Sequence, residues 1–193
     1  MSTPRFIVVE GLDGAGKSTI ARALATTIGA TLLHTPHAEV LPVRGFLEDA
    51  YEDHPLARTL WYASTVAAVS DQVTATLARG GRVVCDRYLL STLVYAERRG
   101  APDCLGEVAR YLRCADVTVY LHVRPEVRRA RIEARAGNSR EDHVTFDPAV
   151  EALLDAGFRR RASDPIAGHF LALDSSDATP DDLVRRVCEM MGG

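Results

Sequence analysis

A glycine-rich stretch near the start of the chain constrains the fold more than any other part of the sequence. A β-branched run at 6–9 leads into GLDGAGKS at 11–18, and an amphipathic stretch at 17–28 follows. The pattern G-x-x-x-x-G-K-[ST] between a strand and a helix is typical of a loop whose backbone N–H groups surround a phosphate. The start of the helix adds its positive partial charge. The sequence therefore predicts a triphosphate site formed by Gly11, Asp13, Gly14, Ala15, Gly16, Lys17, Ser18 and Thr19.

Lys17 is the one lysine in the chain, against 22 arginines. A composition that uses arginine everywhere else keeps a compact ammonium group at this position, where it would contact the β- and γ-phosphate oxygens. The next residue, Ser18, would offer its hydroxyl to Mg²⁺. These two residues make a chance glycine turn a poor explanation of the motif.

Short apolar runs alternate with helical patterns along the rest of the chain. Further strands are predicted at 31–33, 82–85, 117–123 and 170–173, and helices at 42–51, 55–77, 90–98, 105–112, 125–136, 149–162 and 180–190. This alternation predicts an α/β fold whose parallel sheet is covered by helices on both faces. We expect the 193 residues to form one domain, 1–193. Small, polar and charged residues interrupt the helical pattern at 137–148, so we expect a mobile lid at about 135–148.

The composition excludes several classes of protein. The net charge of −3 and the pI of about 6.1 provide no basic surface for nucleic acid. No apolar run reaches the roughly 18 residues of a membrane span, and the start MSTPR lacks the pattern of a signal peptide, so we expect a cytoplasmic protein that does not enter a membrane. The four cysteines form no C-x-x-C pair, which favours free thiols over a disulfide framework or structural zinc.

A second motif follows the strand predicted at 82–85. Asp86 and Arg87 stand at the carboxyl end of that strand, where doubly wound sheets bind their ligands. Asp86 can hold the water shell of Mg²⁺ and Arg87 can bridge two phosphates, while an ion pair that caps the strand is the alternative. The sequence contains no N-K-x-D motif for guanine and no basic face for nucleic acid. The two motifs together therefore favour a small-molecule kinase.

With FIVVEGLDGAGKST and then RVVCDRYLLSTLVYAE, the chain resembles the thymidylate kinase family of P-loop nucleoside monophosphate kinases. The resemblance runs from about residue 6 to 187. It implies the P-loop kinase fold, with a five-stranded parallel sheet, helices on both faces and a mobile lid. It also implies a homodimer and Mg²⁺-dependent transfer of the ATP γ-phosphoryl group to the 5′-phosphate of dTMP.

The resemblance further assigns roles to individual residues. Catalysis would rest on Lys17, Asp13, Arg87 and Arg140, the last of which would close over the transferring group from the lid. The metal would be held near Ser18 and Asp86, with Thr19 close to the α-phosphate. The other residues implied are Arg131 and Arg135 for ATP, and Arg44, Arg87 and Tyr95 for the acceptor. By contrast, Arg128 and Arg129 are expected on a solvated helix face.

The acceptor side departs from the family pattern in three places. Thr65 stands where relatives direct an arginine at the thymine ring, Ala96 replaces a glutamine, and HTPHA at 34–38 replaces R-E-P-G-G. A site that loses such hydrogen-bond partners loses discrimination between bases. His34, Trp61, Tyr62 and Thr65 are the remaining candidates for contact with the acceptor, although core packing explains the two aromatic residues equally well.

Three functions therefore stay open at the level of sequence. A nucleoside monophosphate acceptor needs arginines to hold its phosphate, which Arg44 and Arg87 supply. A nucleoside or another small hydroxyl acceptor needs a carboxylate as a base, for which Asp13 and Glu39 are candidates. An ATP-binding regulatory protein without a small-molecule acceptor needs neither.

Overall fold

The structure is a computed structural model that describes residues 3–135 and 145–192. Its five strands are β1 (Phe6–Gly11), β2 (Thr31–His34), β3 (Val83–Asp86), β4 (Val117–His122) and β5 (His169–Asp174). The α-helices in these residues are α1 (Lys17–Ile28), α2 (Leu41–Ala50), α3 (Pro55–Ala78), α4 (Leu89–Arg98), α5 (Gly106–Ala109), α6 (Pro125–Glu133), α7 (Pro148–Arg160) and α8 (Pro180–Gly192).

The five strands form one parallel sheet in the order β2-β3-β1-β4-β5. The central strand, β1, is buried along its whole length, as expected for a strand covered on both faces. Each crossover between parallel strands contains helical sequence, because a tight turn cannot connect two parallel neighbours. The predicted α/β fold with a five-stranded parallel sheet is confirmed.

The two faces of the sheet carry separate apolar cores. Phe6 and Val8 point to a core that includes the aromatic residues Tyr88, Tyr120 and Phe158. Ile7 and Val9 point to the opposite core, which contains side chains of α1 and α8. The alternation follows from the two-residue period of a strand. Both cores fix β1 from either side, so the loop that follows it starts from a rigid base.

Two predicted elements differ from the structure. The helix expected at 105–112 is a single turn, Gly106–Ala109, because the backbone N–H groups of Arg110, Tyr111 and Leu112 donate to carbonyls three residues back instead of four. The helix expected at 125–136 ends at Glu133. Most of the predicted lid, including Arg140, lies outside the described residues.

The strand order brings the two sequence motifs together. In the register of β1 and β3, Val9 pairs with Asp86, so the glycine-rich loop and the Asp86-Arg87 pair leave the same edge of the sheet side by side. This edge holds the carboxyl ends of the strands, where open α/β sheets bind ligands. Among the residues described, no helix is long and apolar enough to cross a membrane.

Candidate active site

The glycine-rich loop wraps around the start of α1. Gly14 has a φ of 83°, and a Cβ on it would lie 2.9 Å from the side chains of Arg128 and Ile132, so this position requires glycine. Lys17 is buried, and its Nζ donates to the carbonyl of Leu12 at 2.8 Å. The ammonium group is thereby held against the glycine-rich loop, near the positive end of α1.

Asp13 and Arg87 form an ion pair beside this loop. The guanidinium of Arg87 donates to Asp13 Oδ1, and Lys17 Nζ lies 3.4 Å from the same oxygen. Burial alone would raise the pKa of Asp13, but the charges of Arg87 and Lys17 hold it well below the usual range. The guanidinium carbon of Arg87 also lies 5.8 Å from the centre of the Tyr95 ring. Asp13 is therefore a charged partner of two cations and a poor proton acceptor.

Ser18 and Asp86 provide the oxygens that suit a magnesium ion. Ser18 Oγ donates to Asp86 Oδ2 at 2.5 Å, and His34 Nδ1 lies 3.7 Å from that oxygen. The other carboxylate oxygen, Oδ1, is buried and accepts no hydrogen bond from the described residues. Burial tends to raise the pKa of Asp86, whereas His34, Lys17 and Ser18 lower it overall, so the group is a carboxylate. One carboxylate, one hydroxyl and substrate phosphates form a ligand set that Mg²⁺ commonly uses.

A single cavity of about 850 Å³ connects the loop with the ends of β2 and β3. Its size suits a nucleotide site. The predicted site residues that line it are Asp13, Gly14, Ala15, Gly16, Lys17, Ser18, Thr19, His34, Arg44, Tyr62, Asp86, Arg87, Tyr95, Arg131 and Arg135. Residues that lie far apart in the sequence, among them the loop, Arg44 and Tyr62, therefore face one space.

Glu48, which also lines the cavity, is a carboxylate that the sequence did not predict as a site residue. Glu48 Oε1 accepts a hydrogen bond from the hydroxyl of Tyr62 and another from Arg44 Nε at 3.0 Å, and Arg58 Nη2 lies 3.7 Å away. Arg99 lies 5.9 Å above the Tyr62 ring. Burial, together with the carboxylate of Glu48, raises the pKa of Tyr62 to about 12, so its hydroxyl stays protonated. The spacing of four residues between Arg44 and Glu48, and between Arg58 and Tyr62, was the signal in the sequence.

Of the predicted site residues that the structure describes, three do not line the cavity. Thr65 is buried in α3, and its hydroxyl donates to the carbonyl of Tyr62 at 2.8 Å instead of to a ligand. Trp61 is half-buried, and its ring lies 4.3 Å from the ring of Tyr62. Of these two residues, Tyr62 is the one that lines the cavity. Gly11 ends β1 behind the loop, where its carbonyl accepts from Arg87 Nη1 at 3.4 Å.

The expectation that Arg128 lies on a solvated face is wrong. Its side chain is 1% exposed, and its Nε donates to Glu151 at 3.1 Å. The same guanidinium donates to the carbonyl of Asp13 at 3.2 Å and to Thr145. Arg128 thus connects the glycine-rich loop with α7. Its neighbour Arg129 is exposed, as expected.

Arg131 lines the same cavity. Its Nη2 donates to the carbonyl of Ser175 at 2.7 Å and to that of Ser176 at 3.3 Å. Ser175 in turn donates to the carbonyl of Ala15 at 2.9 Å. The segment after β5 is therefore tied both to the glycine-rich loop and to the arginine that faces the cavity.

Comparison with known proteins identifies the family. The family model described as thymidylate kinase matches residues 9–151. The chain belongs to the thymidylate kinase family. A thymidylate kinase from Cereibacter sphaeroides is 32% identical over 206 aligned positions, which cover 95% of this chain and 92% of that protein. One from Photobacterium profundum is 29% identical over 162 positions, or 75% of this chain and 78% of that protein.

A solved structure shows the same fold. The thymidylate kinase of Candida albicans superimposes with a TM-score of 0.72 at 20% sequence identity, covering 100% of this chain and 93% of that one. The predicted family and the predicted class of enzyme, a nucleotide kinase, are confirmed. Membership of this family favours a nucleotide acceptor over a hydroxyl metabolite or a purely regulatory role.

Proposed function

We propose that this member of the thymidylate kinase family transfers the γ-phosphoryl group of ATP to the phosphate of dTMP, with Mg²⁺ as cofactor. The supporting observation is the pairing of Asp13 with Arg87 and Lys17 in the cavity. A hydroxyl acceptor requires a base, and a carboxylate held by two cations is a weak one. The other candidate base, Glu39, is 78% exposed and does not line the cavity. A phosphate acceptor is already anionic near neutral pH and requires only the cations that Arg44 and Arg87 provide.

The residues of the cavity divide the work between the two substrates. The loop N–H groups and Lys17 bind the β- and γ-phosphates of ATP, while Arg131 and Arg135 lie on the donor side. Arg44 and Arg87 hold the acceptor phosphate, and Tyr95 packs beside Arg87. Arg87 stands between the two phosphates and offsets the charge that spreads over the transferring group.

Mg²⁺ would be held at Ser18 and Asp86, and it would neutralise charge on the β- and γ-phosphates. Asp86 Oδ1 has its accepting capacity available for the water shell of the ion. Arg140 in the lid remains our prediction for the arginine that closes over the transferring phosphoryl group. Closure would also exclude water, which otherwise hydrolyses ATP.

A phosphotransfer assay tests the proposal. Purified protein is incubated with ATP and Mg²⁺ against a panel of nucleoside monophosphates and the matching nucleosides, and the products are identified by mass. We expect dTDP from dTMP and no phosphorylation of thymidine. Transfer to a nucleoside hydroxyl, or ATP binding without any transfer, would contradict the proposal.

We also propose that the protein forms a homodimer through α2 and α3. The exposed faces of these helices carry large apolar side chains, among them Phe46, Leu56 and Leu60, which are 72%, 42% and 48% exposed. Exposed apolar patches of this kind commonly mark protein interfaces. Phe46→Glu should reduce the mass measured by light scattering to that of one chain; a wild-type protein that is already monomeric would contradict the proposal.

The cellular setting is part of the same proposal. All four cysteines are free thiols, which supports a reducing compartment such as the cytoplasm. The expected absence of nucleic-acid and membrane partners stays a prediction.

A further inference from the structure

Glu10 is a fully buried carboxylate that the mechanism above does not use. It lies in β1, one residue before the glycine-rich loop region begins, and its exposed fraction is 0%. A buried carboxylate is costly unless it is well hydrogen-bonded. The burial of Glu10, on the same face of β1 as Phe6 and Val8, therefore calls for an explanation in terms of its partners.

The carboxylate of Glu10 holds the start of a neighbouring helix. Its Oε1 accepts from the backbone N–H of Tyr88 at 2.9 Å and from that of Ser91 at 3.2 Å. Tyr88 precedes α4 and makes no side-chain cap of its own. From an adjacent strand, Glu10 thus accepts hydrogen bonds from two of the N–H groups at this helix end, a task usually performed by the cap residue.

Ser91 connects Glu10 with Arg87. Its hydroxyl donates to Glu10 Oε2 and accepts from Arg87 Nη1 at 3.1 Å. A serine hydroxyl has one proton, and the carboxylate takes it, so the lone pairs of Ser91 Oγ are left for the guanidinium. The carboxylate of Glu10 therefore fixes the orientation of the Ser91 hydroxyl. The oxygen of that hydroxyl then accepts the hydrogen bond from the guanidinium of Arg87.

Arg87 needs such support because of its backbone. Its φ is 68°, in the left-handed region that few non-glycine residues adopt. Its N–H donates to the carbonyl of Val9 at 3.0 Å, directly before Glu10. Residues on both sides of Arg87 are thus held by the end of β1, and the side chain enters the cavity between Asp13 and Tyr95.

We propose that Glu10 is a positioning residue that fixes Arg87 for the acceptor phosphate, through Ser91 and the start of α4. The proposal rests on the proposed function, because it takes Arg87 to bind the acceptor. It assigns Glu10 a role in acceptor binding although no atom of Glu10 reaches the cavity. A cap that served the fold alone would affect stability without affecting the acceptor.

Two variants separate these roles. Glu10→Gln keeps the size of the side chain, but its amide N–H can donate to the Ser91 oxygen. The Ser91 hydroxyl then no longer donates toward residue 10, and its oxygen is less available to the guanidinium of Arg87. Ser91→Ala removes the hydroxyl that connects Glu10 with Arg87, while Glu10 keeps its hydrogen bond from the N–H of Tyr88. This variant replaces Glu10→Gln in the test if Glu10→Gln does not fold. Ser70→Ala is the matched control, since Ser70 is also a buried helical serine whose hydroxyl accepts one backbone N–H, that of Arg113, and it lies outside the cavity.

The readout is the affinity for dTMP by calorimetry together with KM and kcat. Glu10→Gln and Ser91→Ala should each weaken the binding of dTMP about tenfold and change the KM for ATP less than about twofold. In an Arg87→Lys background, Glu10→Gln should add less than about threefold, because the residue through which it acts is already altered. Ser70→Ala should leave both affinities at the wild-type value.

A lower melting temperature with unchanged dTMP affinity in both variants would overturn the proposal. Equal losses for Glu10→Gln in the wild-type and Arg87→Lys backgrounds would overturn it as well. Failure of the proposed function is seen separately, as a wild-type protein that neither binds nor phosphorylates dTMP. In that case the same comparison is made with the acceptor that the wild type phosphorylates, or with inorganic phosphate as the probe if there is none.

Discussion

Replacing Arg128 with methionine tests whether the buried ion pair beneath the glycine-rich loop holds the structure together. Arg128 is 1% exposed and its partner Glu151 is 12% exposed, so the methionine would fill similar space while leaving a carboxylate buried without its cation. Removal of one member of a buried pair costs about 3–5 kcal/mol of unfolding free energy. We expect a loss in this range for Arg128→Met. For the exposed Arg129→Met, the control, the change should stay within about 0.5 kcal/mol.

A double variant locates the source of the loss. Arg128→Met with Glu151→Leu removes the stranded charge, and leaves three acceptors without the guanidinium donor: the carbonyls of Asp13 and Thr145 and the hydroxyl oxygen of Thr145. Each lost hydrogen bond costs about 1 kcal/mol, so the double variant should be destabilised by about 3 kcal/mol. Arg128→Met loses the same three bonds and also leaves the carboxylate of Glu151 buried without its cation, so the double variant should be the more stable of the two.

The assay is urea unfolding at fixed protein concentration, followed by far-UV circular dichroism and by the fluorescence of Trp61, the one tryptophan. A loss below about 1 kcal/mol for Arg128→Met would refute the account of this pair. A double variant no more stable than Arg128→Met would refute it too.

Three further predictions concern the cavity. Lys17→Ala should abolish phosphotransfer while its circular dichroism spectrum stays that of the wild type, and retained turnover would contradict the role given to Lys17. Asp86→Asn should raise the Mg²⁺ concentration needed for half-maximal rate by about tenfold or more, measured by magnesium titration at saturating ATP; an unchanged titration would place the ion elsewhere. The folded-state pKa of Asp13 lies below its usual 3.8, so its stabilising effect is complete above pH 3.8 and is lost as the pH falls toward the folded value. Asp13→Asn should therefore flatten the fall of unfolding free energy below about pH 4, and parallel curves for the two proteins would show that the ion pair contributes nothing.

The sequence predicted the fold and the meeting of the glycine-rich loop with Asp86, because both depend on local patterns. The loop at 11–18 needs its strand, its glycines and its helix in one continuous stretch, and Asp86 follows its strand directly. Their meeting at one edge of the sheet then follows from the position of parallel strands in this fold class.

Contacts between distant segments were predicted less well, because the sequence patterns that carry the predictions are local. Arg128 sits in the charged stretch PEVRRARIE, which indicates exposure, and only its pairing with Glu151 from another helix buries it. Likewise, the helical period places Trp61 and Tyr62 almost side by side, and the packing of α3 decides that Tyr62 faces the cavity. Glu48 was not predicted as a site residue, because its place in the cavity depends on a hydrogen bond from Tyr62, which lies in another helix.

The most direct test of the proposed reaction follows the γ-phosphoryl group itself. ATP carrying an isotopic label in that group is incubated with dTMP, Mg²⁺ and the protein, and the products are fragmented in a mass spectrometer. We predict that the products are dTDP, with the label in its terminal phosphate, and unlabelled ADP. Label in inorganic phosphate alone, or on a sugar hydroxyl, would contradict it.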